Sequence, residues 1–215
     1  METKPVKKRS YNSTRRKEQA RLTRLEIIEA ARVLFIDRGY TGATLETIAS
    51  AAGVAVETVY AAFGNKRALL AELISLSLVG DDQPIPIWQR EGALAVKQNQ
   101  DQHQQIRLFV IDMAVIMSRV APLFEVMRSA SKTEPDIAEM LQNMLAERAI
   151  RLEIFINALL ANGPIQKGLS PQDAAETVWA FTSGEMYTLL VKDRNWTIEK
   201  YENWLVNTLT KLILP

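Results

Sequence analysis

The residues whose types and spacing suggest a specific chemistry lie between Thr44 and Lys66. This stretch holds two short helical patterns, separated by a turn of small residues at positions 51–54. The hydroxyl of Thr44 can cap the first helix, and Gly53 can supply the positive φ that a helix end favours. Each pattern has one apolar face, formed first by Leu45, Ile48 and Ala49 and then by Val56, Val59 and Phe63. Two such helices bury little surface alone, and their geometry suits placing the second one in the major groove of DNA.

The spacing of these residues resembles the N-terminal DNA-binding domain of the TetR family of transcriptional regulators, over roughly residues 15–75. The agreeing positions are Gly39, Tyr40, Thr44, Ile48, Ala49, Ala52, Gly53, Val54, Thr58, Val59, Tyr60, Phe63 and Lys66. The resemblance implies an all-α fold, in which a three-helix helix-turn-helix domain is joined by a bridging helix to a helical bundle that binds a ligand and dimerises. It also implies a transcriptional regulator, in our interpretation a repressor. Such a protein binds a palindromic double-stranded DNA operator as a homodimer and is released by a small apolar or amphipathic effector.

The resemblance assigns DNA contacts to eight residues: Thr44, Ala55, Val56, Glu57, Tyr60, Ala61, Ala62 and Lys66. The short apolar side chains among them can contact thymine methyl groups, and Glu57 can accept a hydrogen bond from cytosine N4. The hydroxyls of Thr44 and Tyr60 and the amine of Lys66 suit phosphate contacts. Tyr60 could instead pack against the protein, and Lys66 could be an ordinary solvated lysine. At Ala55 the family commonly has a capping Ser or Thr, whose absence costs about 1 kcal/mol of helix stability.

Charge is distributed unevenly along the 215 residues. The first 24 residues carry nine lysines and arginines against two glutamates, a net charge of +7, so the remainder carries −6 of the total of +1. We expect residues 1–14 to form a disordered basic arm, residues 15–65 the helix-turn-helix domain and residues 66–215 the regulatory and dimerisation domain, with a bridging helix at 66–79. A basic end in front of an acidic body indicates a polyanionic partner for that end, although a solvated tail would have the same composition.

The pattern of apolar residues and breakers predicts helices throughout the chain. Pro122 disfavours helix at Ala121 and therefore predicts a bend there, followed by a short separate segment at 123–129. The expected helices are 15–38, two short ones within 44–63, 66–79, a weak one at 87–99, 101–119, 135–161, 171–192 and 197–213.

Apolar side chains that could line a ligand cavity are concentrated in the middle of the chain. They are Trp88, Phe109, Met113, Met117, Phe124, Met127, Met140, Met144, Phe155, Trp179 and Tyr187. Methionine adapts to varied ligands, but a methionine stripe at helical spacing is more often ordinary core. Arg107, Asp112 and Glu185 are candidate polar anchors for a ligand.

The last two predicted helices, at about 171–192 and 197–213, carry small residues and then large apolar ones. Small residues let helices approach closely, so we expect a homodimer through these two helices, although packing within one chain would give the same pattern.

Residues for catalysis or metal binding are scarce. His103 is the single histidine, the chain has no cysteine, and neither a Gly-x-Ser-x-Gly motif nor a glycine-rich phosphate loop occurs. We therefore expect no catalytic site, no metal and no cofactor, although the carboxylates of the chain leave a magnesium site open as an alternative. The absence of cysteine and of a long apolar run favours the cytoplasm. An enzyme acting on a hydrophobic substrate and a plain helical interaction module are the competing interpretations.

Overall fold

The protein is built from helices, as the computed structural model shows for residues 11–215, with side chains described from residue 14 onward. No strand occurs within residues 11–215. None of the helices in that range combines the length and apolar character needed to cross a membrane. The α-helices are α1 (Tyr11–Gly42), α2 (Leu45–Ala52), α3 (Val56–Phe63), α4 (Lys66–Val79), α5 (Glu91–Gln98), α6 (Gln102–Ala130), α7 (Pro135–Leu160), α8 (Pro171–Phe181), α9 (Gly184–Tyr187) and α10 (Ile198–Ile213). A 3₁₀ turn covers Ile87–Gln89, and a π-helix covers Thr188–Asp193.

The three helices α2, α3 and α4 begin and end where the sequence predicts. Thr44 caps α2, and Asn65 caps α4 by accepting a hydrogen bond from the Ala68 amide at 2.8 Å. The all-α fold with an N-terminal helix-turn-helix is therefore confirmed.

The first helix is longer than predicted. It begins at Tyr11 rather than near Arg15, and Gly39 interrupts it with a φ of 69° before a last turn ends at Gly42. The predicted disordered arm overlaps this helix at residues 11–14, and its residues 1–10 lie outside the described part of the chain.

Two hydrophobic cores are arranged along α6. The first core joins α1, α2, α3 and α4 and is completed by residues from the end of α6 and the start of α7, including Leu123, Met127 and Ile137. The second core joins α5, the rest of α6, the later part of α7, and α8, α9 and α10. Helix α6 thus belongs to both cores and connects the helix-turn-helix unit to the second unit. The domain division after residue 65 stays a prediction.

The predicted bend at Ala121 and separate segment at 123–129 are wrong, because α6 continues through Pro122 to Ala130. A proline inside a helix costs about 3 kcal/mol, since it removes one hydrogen bond and crowds the preceding turn. The residues on either side offset this cost through burial: Val120 and Ala121 lie in the second core, and Leu123 and Val126 in the first.

The predicted helix at 171–192 is also wrong. Helix α8 ends at Phe181, and Ser183 has an extended backbone with φ −71° and ψ 156°. The Ser183 hydroxyl accepts a hydrogen bond from the Met186 amide at 3.2 Å and caps the new helix α9. The chain then widens into the π-helix at 188–193, a conformation that is rare and frequently found at functional sites.

Candidate nucleic-acid interface and internal cavity

The turn between α2 and α3 is fixed by reciprocal capping. The Thr44 hydroxyl accepts a hydrogen bond from the Thr47 amide at 3.2 Å, and the Thr47 hydroxyl accepts one from the Thr44 amide at 3.1 Å. Gly53 has a φ of 68° and donates its N–H to the carbonyls of Ala49 and Ser50. These contacts hold α3 at a defined angle to α2.

Helix α3 has one buried and one exposed face. Val59 and Phe63 are buried in the first core, whereas Ala55, Glu57, Tyr60 and Ala61 are exposed and Val56 and Ala62 are half-buried. The exposed face is therefore formed by residues that the sequence assigns to DNA together with Thr58, which it did not assign. Ala55 makes no side-chain capping hydrogen bond, as its residue type predicts.

Tyr60 is the most prominent side chain on this face. It is 49% exposed, so its ring and hydroxyl can reach a partner outside the chain. The packing of Tyr60 into the protein core, which the sequence left open, does not occur.

Lys66 has an internal role that the sequence did not reveal. Its amine donates a hydrogen bond to the Tyr40 carbonyl at 2.8 Å and lies 4.2 Å from the centroid of the Tyr40 ring. Partial burial lowers the pKa of Lys66, and the nearby Glu134 carboxylate opposes this effect. Lys66 thus joins α1 to α4, and its contact with a phosphate stays a prediction.

Two of the nine basic residues counted among the first 24 residues are paired inside the chain. Arg24 forms an ion pair with Glu72, donates to the Ala62 carbonyl and stacks on Phe63 at 4.2 Å. Arg21 pairs with Glu18 and Asp82. Apart from the Arg21–Glu18 pair, these contacts span long sequence separations, so composition alone could not reveal them. They reduce the charge that the N-terminal segment can offer to DNA.

The structure distributes the eleven predicted cavity residues over several places. Trp88 is 66% exposed in the 3₁₀ turn. Three of the others belong to the first core, namely Met127, Met140 and Met144. Six belong to the second core, namely Phe109, Met113, Met117, Phe155, Trp179 and Tyr187. Phe124 contacts both cores. Most of the methionines are therefore ordinary core residues, which the sequence had left as an alternative.

A cavity lies where α6 meets α9 and the π-helix. Its outer part is an open cleft of about 250 Å³ between residues 121–128 of α6 and residues 184–193. Its inner part is a small chamber of about 20 Å³, bordered by α7 and α8. Of the predicted cavity residues, Met117, Phe124 and Trp179 line these spaces. A chamber of 20 Å³ holds about one water molecule, so a larger ligand must enlarge it.

Five charged side chains border the cavity, and three of them line its inner chamber. Arg128 of α6 forms an ion pair with Glu185 of α9, and both residues line the cleft and the chamber. Arg148 of α7 lines the chamber and donates hydrogen bonds to the Trp179 carbonyl at 2.9 Å and the Thr182 hydroxyl at 2.7 Å. Burial lowers the pKa of Arg148 to about 10.

The predicted polar anchors are only partly supported by this arrangement. Glu185 borders the cavity, whereas Arg107 is exposed and Asp112 lies close to Gly92 of α5. Arg128 and Arg148 could not be predicted from the sequence, because nothing in their local pattern distinguishes them from the other arginines. Only the fold places Arg128 against α9 and Arg148 against the end of α8.

One further arginine connects the second unit to the bridging helix. Arg119 of α6 donates from Nε to the Ser77 carbonyl at 2.7 Å and from Nη2 to the Leu78 carbonyl at 3.2 Å. Both carbonyls belong to the last turn of α4, where helix carbonyls lack partners within the helix. Arg119 therefore links α6 directly to the end of α4.

A capped helix-turn-helix with an exposed second helix, packed on a separate helical unit with its own cavity, defines the architecture of a helix-turn-helix regulator. Comparisons with known proteins agree with this class. Residues 27–73 match the family model for bacterial regulatory proteins of the tetR family. The HTH-type transcriptional regulator TtgR of Pseudomonas putida is 45% identical over 60 residues, which cover 28% of this chain and 29% of TtgR.

Solved structures resemble the chain over most of its length. NalD of Pseudomonas aeruginosa, described as the secondary repressor of the MexAB-OprM multidrug efflux pump, gives a TM-score of 0.68 at 18% identity and covers 91% of this chain and 98% of its own. FadR of Bacillus subtilis, solved in complex with stearoyl-CoA, gives a TM-score of 0.67 at 19% identity and covers 86% of this chain and 96% of its own. At these identities the likeness shows the fold. Together with the sequence match over residues 27–73, it supports the TetR family of transcriptional regulators for this chain.

Proposed function

We propose that the chain is a cytoplasmic transcriptional repressor that binds a palindromic DNA operator as a homodimer and is released by a small apolar or amphipathic ligand. The observation that carries this proposal is the exposed face of α3, held by the Thr44–Thr47 capping box and the Gly53 turn. The first core buries Val59 and Phe63, so the opposite face of α3 is free to enter a major groove.

The residues on this face set the mode of recognition. Ala55, Val56, Ala61 and Ala62 lack polar side-chain groups and would contact thymine methyls, while Glu57 would accept from cytosine N4. Tyr60 and Thr44 would contact phosphates, which set the register of the protein on DNA without reading its sequence. With so few base-reading side chains, the sequence-dependent shape of the operator would contribute to specificity.

The dimer would use α8 and α10, which contain most of the residues of the two predicted interface helices. Two exposed isoleucines extend the apolar surface beside α8. Ile150 and Ile154 lie one turn apart on α7, which packs along α8, and they are 58% and 63% exposed. A two-fold axis here would place the two α3 helices about 34–36 Å apart, in successive major grooves.

The ligand would act through α6. A molecule in the cleft between α6 and α9 would shift α6, and Arg119 would pass the movement to the end of α4. The FadR structure with stearoyl-CoA supports an amphipathic ligand with an apolar chain in this fold. Such a ligand releases DNA only if it binds the conformation that is incompetent for DNA more tightly.

The proposal is tested by selecting DNA fragments from the source genome with the purified chain. We expect selected fragments to bind about 10³-fold more tightly than random DNA, with an affinity that falls steeply as salt increases. Equal affinity for selected and random fragments would contradict the proposal and would favour an enzyme or a helical interaction module.

Tyr60 gives the matched variants. Tyr60→Phe keeps the ring and loses only the hydroxyl, so the loss of a phosphate contact should weaken binding about tenfold on selected and random DNA alike. Lys97→Ala, at an exposed lysine of α5, is the control and should change neither affinity. An unchanged affinity in Tyr60→Phe would remove Tyr60 from the interface.

A further inference from the structure

Arg148 is a half-buried cation that forms no ion pair in the part of the chain that the structure describes. Its Nη2 donates to two neutral acceptors, the Trp179 carbonyl and the Thr182 hydroxyl. No carboxylate forms an ion pair with it among the described residues, although Glu185 borders the same chamber. Burying a charge is unfavourable unless an opposite charge and hydrogen bonds compensate it.

The neighbouring arginine shows the contrast. Arg128 borders the same chamber but is ion-paired with Glu185, so its charge is already compensated. The Nε and Nη1 groups of Arg148 donate to no acceptor among the described residues and remain for a ligand. Counted together, the two arginines and one glutamate of the chamber leave one positive charge.

The remaining surroundings of Arg148 are apolar. The Trp179 ring lies 5.2 Å from the guanidinium carbon, and Met117, Phe124 and Leu145 line the same chamber. The outer cleft continues this surface past Ala121 and Leu189. A ligand that matched both the guanidinium and this apolar surface would place an anionic group at Arg148 and an apolar chain along α6.

We propose that the effector of this protein is a small amphipathic carboxylate, whose carboxylate group binds Arg148 while its apolar chain occupies the cleft between α6 and α9. This inference rests on the proposed function, because it names the chemical class of the ligand for that regulator. A cleft of about 250 Å³ is smaller than typical pockets for drug-sized molecules, which begin near 300 Å³, so a short chain fits best.

The border of the outer cleft carries negatively charged side chains, so the experiment also includes a cationic ligand. Glu125, Glu185 and Asp193 border the cleft, and a cationic amphiphile would be attracted to them. These three carboxylates are exposed, so water stabilises them without a ligand. Arg148 is only half exposed, so water stabilises its charge less, and a carboxylate at Arg148 therefore gains more than a cation at the rim.

The test compares three amphiphiles of equal chain length: octanoate, 1-octanol and octylammonium. Their binding to the purified full-length chain is measured by calorimetry at neutral pH and checked by the fluorescence of tryptophan, since Trp179 lines the chamber. We expect octanoate to bind at least about tenfold more tightly than 1-octanol, because the hydrogen bond it makes involves charged groups. Octylammonium should bind more weakly than octanoate.

Variants of α7 test the assignment to Arg148. Arg148→Gln should lower the affinity for octanoate to that for 1-octanol and leave the 1-octanol affinity unchanged. Arg151→Gln is the matched control, because Arg151 is on the same helix, is 40% exposed and pairs with Glu147. It should keep the full preference for octanoate. If Arg148→Gln does not fold, Arg148→Lys replaces it and should keep the preference for octanoate in reduced form.

The proposal is overturned if the unmodified chain shows no saturable octanoate binding, binds all three amphiphiles equally, or binds octylammonium most tightly. It is also overturned if a folded Arg148→Gln variant keeps the preference for octanoate. The DNA selection is a separate measurement. If the chain selects DNA but does not bind octanoate, only the proposed ligand class is refuted. If the chain binds octanoate but selects no DNA, only the proposed function as a regulator is refuted.

Discussion

Replacing Arg119 with glutamine should loosen the junction between α6 and the bridging helix α4. The guanidinium donates to the Ser77 and Leu78 carbonyls at 2.7 and 3.2 Å. Hydrogen bonds from a charged group contribute about 1.5–3 kcal/mol each, and because Arg119 is partly exposed, solvent compensates for part of their loss. We therefore expect Arg119→Gln to lower the free energy of unfolding by about 2 kcal/mol, measured by urea titration. Arg107→Gln, at an exposed arginine of the same helix, should leave this free energy unchanged.

Gly80 provides an independent test of the same contact. Its φ is +91°, and a Cβ atom there would lie 2.8 Å from the Arg119 Nη1. Gly80→Ala should lower the free energy of unfolding by about 1–2 kcal/mol, whether residue 119 is arginine or glutamine, because alanine is strained in a left-handed backbone. The decrease should be larger when Arg119 is present, because the methyl group displaces the guanidinium. The double variant should then be more stable than the sum of the single effects predicts, by about 1 kcal/mol. Additive effects, or an Arg119→Gln variant as stable as the unmodified chain, would show that the contact between Arg119 and the end of α4 does not contribute to stability.

Three other predictions concern single sites. Burial raises the pKa of Asp112 above its ordinary value of 3.8. The carboxyl group therefore ionises at a lower pH in the unfolded chain than in the folded chain. Because of this difference, the free energy of unfolding decreases as pH rises from 3.8 through the raised pKa. Asp112→Asn should therefore raise the urea midpoint at pH 7, with a gain that shrinks toward pH 4; an equal gain at both pH values would contradict this. Thr44→Ala should lower the free energy of unfolding by about 1 kcal/mol, because it removes the α2 cap, whereas Ser75→Ala at an exposed site of α4 should not. Replacing Ile150 and Ile154 with glutamate should dissociate the proposed dimer in sedimentation experiments, and an unchanged mass would exclude this surface.

The sequence predicts the helix-turn-helix unit well because its determinants are local. Thr44 and Asn65 cap helices within three residues of themselves, and Gly53 ends α2 through its own backbone. The apolar period of α3 identifies Val59 and Phe63 as buried and, by elimination, the exposed face. These properties depend on neighbours in sequence, which a pattern records directly.

Long-range contacts explain the errors. Whether Pro122 ends a helix depends on the burial of the residues around it in two separate cores, which no local pattern contains. The break after Phe181 had a local signal in Ser183, a good capping residue, but the apolar period on both sides concealed it. The partners of Arg24 lie 38 or more residues away and those of Arg148 lie 31 or more residues away, so only the fold could assign them.

The most direct test of the central claim, that α3 reads DNA as part of a two-fold dimer, is a hydroxyl-radical footprint on a selected genomic fragment. The account predicts two protected blocks related by two-fold symmetry and centred about one helical turn, 10–10.5 base pairs, apart. A single asymmetric block, or uniform protection like that on random DNA, would contradict it.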